Sequence, residues 1–478
     1  MQKLTNNEHH FFTRRDFINR LGNGFGGLSL SALLQEEAQS AINPLIPKKP
    51  HFPAKAKSVI HLFMNGGPSQ VDTFDPKPAL TKYDGKKLPI DYLKTERPTG
   101  AALKSPFSFK KYGQSGLEIS ELFPNVARSA DDLCIIRSMH ADVPNHEPSL
   151  LLMNCGEPRL IRPSVGSWVS YGLGTENQNL PAFVVMSDPL NRGLPKGHAA
   201  NWGSGFLPGA FQGTWVRSKG EPIPNLKRIA GLSDQQQRAQ LDFLGKLNAA
   251  HEKRYPAETE LTARIKSFEL AYRMQQEAPE CFEIDNEPEH IKSLYGIGEK
   301  RCAHFARQCL MARRMVERGV RFVQIYSGGM ENARSWDGHG DIKKNHTQFA
   351  GETDQPIAGL LADLEQRGML DETLVIWGGE FGRLPVSQLS GGKPTGRDHN
   401  PHAGCYWFAG GGARGGTSYG ETDEVGHKAA VDTVEIHDIH ATILHLLGMD
   451  HKRLTYLHSG RRFRLTDVAG NVIHDVVA

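Results

Sequence analysis

Four clusters of oxygen and imidazole side chains follow short apolar runs in this 478-residue chain. Asn65, Ser69, Asp72 and Asp75 come after "SVIHLFM"; Asn145, His146, Glu147 and Ser149 come after "LCIIRSMH". Asp337, His339, Asp341 and His346 stand in "SWDGHGDIKKNH", behind "VRFVQIYSGG". Glu380 and Arg383 close "TLVIWGGEFGR", and "GRDHNPH" supplies Arg397, Asp398, His399 and His402. Carboxylates, an amide and imidazoles gathered from several strand ends are what a divalent cation needs. The expected ligands are Asn65, Asp72, Asp337, His339, Glu380, His399 and His402, with zinc or calcium as the ion. A carboxylate placed like Glu380 is partly buried, which is costly unless Arg383 or a cation pairs with it. Arg383 or Arg397 is expected to hold an oxyanion. Plainer readings exist for each group: Asp72 and Asp75 as turn caps, Asp337 and Asp341 as Asx turns, and His437, His440 and His445 as surface or packing residues. No GxSxG elbow, Walker loop or HExxH helix occurs, so those classes have no support.

Positioning such residues calls for a sheet. "SVIHLFMNGG", "LCIIRS", "VRFVQIYSGG" and "TLVIWGG" are short, largely apolar runs, two of them ended directly by glycine pairs, as buried parallel strands are. Helical spacing in "EKRCAHFARQCLMARRMVERG", "PIAGLLADLEQR" and "HDIHATILHLLGMD" alternates with them. Open α/β sheets bind ligands beyond the carboxyl ends of their strands. The predicted fold is a three-layer α/β/α sandwich with a mainly parallel central sheet over residues 58–478. From about 180 to 290 the rhythm lapses into a loop-rich stretch and a long polar helical region, opened by a capping box at Ser233 and Gln236; this segment is predicted to be an insertion forming a helical cap.

Composition narrows the partners. Lys plus Arg total 56 against 53 Asp plus Glu, a formal net charge of +3, far from the basic footprint of a nucleic-acid binder. No stretch after residue 50 is long and apolar enough to span a bilayer. The six cysteines form no CxxC pair and read as buried thiols. Residues 1–41 contain Arg14 and Arg15, a Gly-rich uncharged run and small residues near Ala38–Ala41, which together resemble a twin-arginine export signal. Residues 42–57, rich in Pro and Lys, read as a linker. Periplasm or cell surface is the expected location.

Three stretches carry a family resemblance. "FAGETDQPIAGLLADLEQRGMLDETLVIWGGEFGR" resembles the sulfatase segment that leads a helix into a strand ending in a metal-binding Asp. "IHATILHLLG" is similar to the stretch after the last sulfatase core strands. "LFPNVARSADD…HADVPNHEPSLLLMNCG" resembles the region that carries the formylglycine nucleophile. The resemblance implies an exported sulfatase-like family of the alkaline phosphatase superfamily. It also shows departures. His146 stands where the formylglycine precursor would be, Asn65 where a first-strand metal Asp would be, and Phe381 where an Asn or His would follow Glu380; His399 or His402 matches the late His. Formylglycine chemistry is therefore excluded, and His146 is left with four roles: nucleophile, general base, metal ligand or scaffold. The implied function is metal-dependent hydrolysis of sulfate or phosphate esters, with an anionic ester or sulfated polysaccharide as substrate. The alternative is a catalytically degenerate protein that binds anionic glycans or partner proteins.

Overall fold

Nine strands build one central sheet: β1 (Ser58–Met64), β2 (Leu133–His140), β3 (Phe183–Met186), β4 (Thr214–Trp215), β5 (Phe322–Ser327), β6 (Thr373–Gly378), β7 (Gly404–Ala409), β8 (Thr417–Tyr419) and β9 (Val434–Glu435). The structure is a computed structural model that describes residues 43–478, apart from 93–94, 96, 225, 227–230, 255–258 and 390–394. The predicted twin-arginine segment lies outside the described residues. The strand order is β8-β2-β7-β6-β1-β5-β3-β4, and β9 continues along the same edge of β2 as β8. All pairings are parallel except those of β7, which runs against both β2 and β6.

β1 lies in the middle, and all seven of its residues are buried. Its alternate side chains feed two separate cores. Ile60, Leu62 and Met64 join the face covered by α4 (Thr259–Phe282), α5 (Glu289–Tyr295), α6 (Ala303–Glu317) and α7 (Ile342–Gln366). Val59 and Phe63 join the face covered by α1 (His146–Cys155), α2 (Val165–Leu173) and α8 (Ile436–Leu446). A period of two along the strand thus produces the three-layer α/β/α sandwich that the sequence predicts. The helix ends have local causes. Asp341 caps α7 by accepting the Lys344 N–H at 2.9 Å, α8 carries a Glu435–Asp438 capping box, and Gly156 ends α1 at φ +70°.

The structure redraws the predicted insertion. β3 and β4 are sheet strands inside the stretch 180–290, too short for an alternating pattern to show. What projects is the hairpin of α3 (Asp234–Arg254) and α4, opened by the predicted Ser233–Gln236 box, with bonds of 2.9 and 3.2 Å. Arg238 clasps Glu269 across it at 2.7 Å. All six cysteines are buried and unpaired.

Candidate metal centre

The carboxyl ends of β1, β5 and β6 meet at one place, and glycine lets them. β1 runs out into Asn65, Gly66 (φ +107°) and Gly67 (φ +74°). A Cβ on Gly66 would stand 2.6 Å from the Asp337 backbone nitrogen, and one on Gly67 would stand 2.6 Å from the Phe381 ring. Trp336 N–H donates to the Asn65 carbonyl at 2.9 Å, which locks the loop after β5 against the end of β1. Glu380, fully buried beyond β6, accepts the Gly66 N–H through Oε1 at 2.9 Å and Oε2 at 3.1 Å.

His146 is the first residue of α1, and the cap position belongs to Asn145. Its Nδ1 lies 2.8 Å from Glu380 Oε1, so the carboxylate fixes the proton on Nδ1 and turns Nε2 towards Asp337. That Nε2 is buried, 3.3 Å from Asp337 Oδ2, and makes no hydrogen bond. His399 reaches the same spot from the two-residue ribbon His399–Asn400, which pairs with Gly382–Arg383. Its Nδ1 lies 2.7 Å from the Pro144 carbonyl, which can only accept, so Nε2 again presents a lone pair. His339 follows the pattern, with Nδ1 2.6 Å from Gln388 Oε1. Its Nε2 faces His399 Nε2 at 3.0 Å and Asp337 Oδ1 at 2.8 Å. Asp337 is the hub: Oδ1 also takes Arg383 at 2.7 Å, and Oδ2 accepts the Asn332 N–H at 2.7 Å.

The charges respond to this crowding. Burial disfavours charge on His146, yet Asp337 and Glu380 outweigh it and push its pKa up to about 9. His399 is held well below its ordinary range by burial, although Asp337 pulls the other way. Burial alone would raise the Asp337 carboxyl, but Arg383 and the three imidazoles hold it far below the usual carboxylate range.

Three imidazoles, each oriented through Nδ1 by an oxygen acceptor, aim Nε2 at one carboxylate. One donor atom from each of His146, Asp337, His339 and His399 lies within 4.8 Å of all the others. This buried cluster can coordinate a divalent metal. Two nitrogens on a tetrahedral zinc, each at about 2.0–2.1 Å, stand about 3.3 Å apart, close to the His339–His399 spacing. Oxygen acceptors on the far ring nitrogens are the outer support that metal-bound histidines carry. The donor chemistry, nitrogen-rich with one carboxylate, suits zinc better than calcium, which takes six to eight oxygens.

Several predicted site residues fall elsewhere. Asn65 sits at the strand end, but its Nδ2 donates to the Gly329 carbonyl, while Oδ1 is buried without a partner. Asp72 is engaged by Arg397, with Nε–Oδ2 at 2.7 Å, and by Ser69, and both charged groups are fully buried. Arg397 also donates to the Leu103 and Leu384 carbonyls, which makes it a strut and not an oxyanion contact. Arg383 is fully buried as well, donating to the Gly66 and Gly67 carbonyls and to Asp337. Neither arginine faces the cleft. His402 is exposed and outside the cluster, in the turn that follows the His399–Asn400 ribbon. Glu380 acts through His146. Arg383, one of the two partners expected for Glu380 beside a cation, pairs with Asp337 instead.

Above the cluster opens a cleft of about 320 Å³, at the amino end of α1. Its walls include Arg97 and Lys196, which the sequence reading missed. Arg97 lies in a segment without periodicity, and Lys196 is carried by a loop that Arg192 pins to Asp188 at 3.1 Å and Glu352 at 2.7 Å. "DPLNRGLPK" offered a signal only in its Asp-to-Arg spacing. Lys196 pairs with Glu331 at 2.8 Å, whereas Arg97 has no ion-pair partner among the described residues.

Among solved structures, the chain is similar to a PsFucS1 sulfatase from Pseudoalteromonas sp. at 14% identity, covering 89% of this chain and 71% of that one, with a TM-score of 0.33. It is similar to the lipoteichoic acid synthase LtaP from Listeria monocytogenes at 7% identity, covering 90% and 80%, with a TM-score of 0.32. It is also similar to a TAB5 alkaline phosphatase mutant at 12% identity, covering 83% and 99%, with a TM-score of 0.35. At these values the likenesses assign no residue a role. No curated protein matches the sequence. A family profile described as "Protein of unknown function (DUF1501)" matches residues 56–477, from the lead into β1 to the last residue but one, and the chain therefore belongs to that family.

Proposed function

We propose that the chain is an exported hydrolase of phosphate or sulfate esters that works through one divalent cation held by His146, Asp337, His339 and His399. The observation that carries this reading is the convergence of three pre-oriented Nε2 atoms on Asp337 at the floor of an open cleft. A cation there supplies Lewis-acid polarisation of an ester oxygen. The chain's own residues do the rest. Glu380 holds the His146 tautomer; Arg383 neutralises Asp337 from behind, so the cluster is not over-charged towards an anion. The amino end of α1, from Asn145 to Pro148, lines the cleft, where the positive end of the helix dipole favours an anion. Arg97 and Lys196 stand where the rest of an anionic substrate would lie. His146 serves as ligand, because Glu380 holds its Nδ1 and leaves Nε2 without a hydrogen bond inside the cluster. Export follows from the residues 1–41 resemblance and suits a substrate outside the cytoplasm, such as a sulfated or phosphorylated polysaccharide.

The test is turnover. Protein loaded with zinc or manganese is assayed against a panel of aryl phosphate mono- and diesters and aryl sulfates, alongside His399→Ala. Metal-dependent turnover of at least one ester, lost in the variant, supports the proposal. Stoichiometric metal with no turnover of any ester contradicts the hydrolase and favours a protein that binds anionic glycans.

A further inference from the structure

The far end of α1 carries a surface that the proposed chemistry does not use. Ten residues of helix place it about 15 Å from His146. There the loop after α1 and a hairpin, Tyr456–His458 with Arg461–Phe463, are fastened together. Arg162 reaches Glu157 at 3.4 Å and Asp467 at 3.2 Å, and its guanidinium lies 5.2 Å from the Phe463 ring centre. Around this knot stand aliphatic side chains left in water: Leu160 is 60% exposed, Ile161 67%, Leu457 57% and Val468 85%. Each of the two main patches has a cation beside it. Arg159 precedes Leu160 and Ile161, and Arg462 is the cross-strand partner of Leu457, on the same face of the hairpin. Arg159 and Arg462 are both exposed, and neither pairs with a carboxylate among the described residues.

Exposed aliphatic groups interleaved with unpaired arginines fit an anionic amphiphile, whose tails take the former and headgroups the latter. Sugars would want open aromatic faces, but those here are stacked on one another: Phe206 lies 5.1 Å from His458 and 6.0 Å from Tyr456, each at 16°. A second copy meeting this face symmetrically would bring arginine against arginine. We propose that this surface docks the protein on an anionic lipid bilayer, with Ile161 and Leu457 entering the headgroup region and Arg159 and Arg462 holding lipid phosphates.

The test places an environment-sensitive thiol dye at Ile161→Cys, Leu457→Cys and, as a control at the cleft end of α1, Leu389→Cys, all in the full chain. The six native thiols are buried, so labelling is selective. Vesicles of phosphatidylglycerol and phosphatidylcholine should shift the emission of the first two to the blue and leave Leu389→Cys unchanged. The shift should vanish on pure phosphatidylcholine, and half-saturation should need at least fivefold more lipid when Arg159→Gln and Arg462→Gln are added. No shift, an equal shift at Leu389→Cys, or an equal shift on neutral lipid overturns the proposal. So does a shift that needs only higher protein concentration, which marks self-association, or one produced by a sulfated polysaccharide and not by vesicles.

Discussion

Asp337→Asn separates the two duties of the hub residue. The substitution keeps shape and removes the charge that faces Arg383 at 2.7 Å and His339 at 2.8 Å. Arg383 is fully buried, and its remaining acceptors among the described residues are the Gly66, Gly67 and Arg397 carbonyls, so the guanidinium loses the one carboxylate it pairs with there. Leaving a buried charge unpaired costs about 3–5 kcal/mol. Removing both charges, in Asp337→Asn with Arg383→Met, should recover most of that loss, because a buried pair replaced by apolar packing is close to neutral. Metal binding should be absent in both variants. The assay is urea unfolding followed by tryptophan fluorescence in chelator, where Trp336 reports from the next residue, together with elemental analysis after zinc loading. A loss below about 1 kcal/mol in Asp337→Asn, or a full equivalent of metal retained by either variant, would refute the reasoning that one carboxylate serves both charges.

Three further outcomes are expected. Glu380→Gln should weaken metal affinity by about 10- to 100-fold without abolishing it, since it orients His146 and is no ligand; competition with a chelating dye measures this. Arg397→Leu should destabilise the fold by about 3–5 kcal/mol by stranding Asp72, while the loaded protein keeps its metal content, read by denaturation and elemental analysis. Burial lowers the pKa of His61 to about 3 and of His440 to about 4. Above about pH 6.5 both are neutral whether folded or not; as pH falls below that, the unfolded chain takes up protons that the folded chain refuses, so stability declines towards those lower values. At pH 5 the loss is about 2 kcal/mol for each. His61→Phe should cancel one share, because His61 packs edge-on against Phe63 and Phe322 with Nε2 unpartnered, and denaturation at pH 5 and pH 7 shows whether it does.

The sequence revealed the sheet because its central strands are buried on both faces and so read as largely apolar runs without polar alternation. β3 and β4, at the sheet's edge and only four and two residues long, left no such pattern and disappeared into the supposed insertion. Four strand-end clusters were legible for the same reason. Which members converge was not, because this depends on side-chain direction. Asp72 and Asp337 follow comparable strands, yet one turns to Arg397 and the other into the cluster. Both arginines looked available for an oxyanion, and their complete burial is a property of the packed loops. His146 could be placed at a helix start by its Asn-His-Glu-Pro-Ser context. Its partnership with Glu380, 234 positions away, needed the fold.

His146, Asp337, His339 and His399 together are proposed to hold one cation. Metal content of the full chain, measured after zinc loading and exhaustive dialysis and compared with His339→Ala and His399→Ala, tests it most directly. About one equivalent is expected in the parent and less than about a tenth in each variant. A parent that retains no metal, or variants that retain as much as the parent, would contradict it.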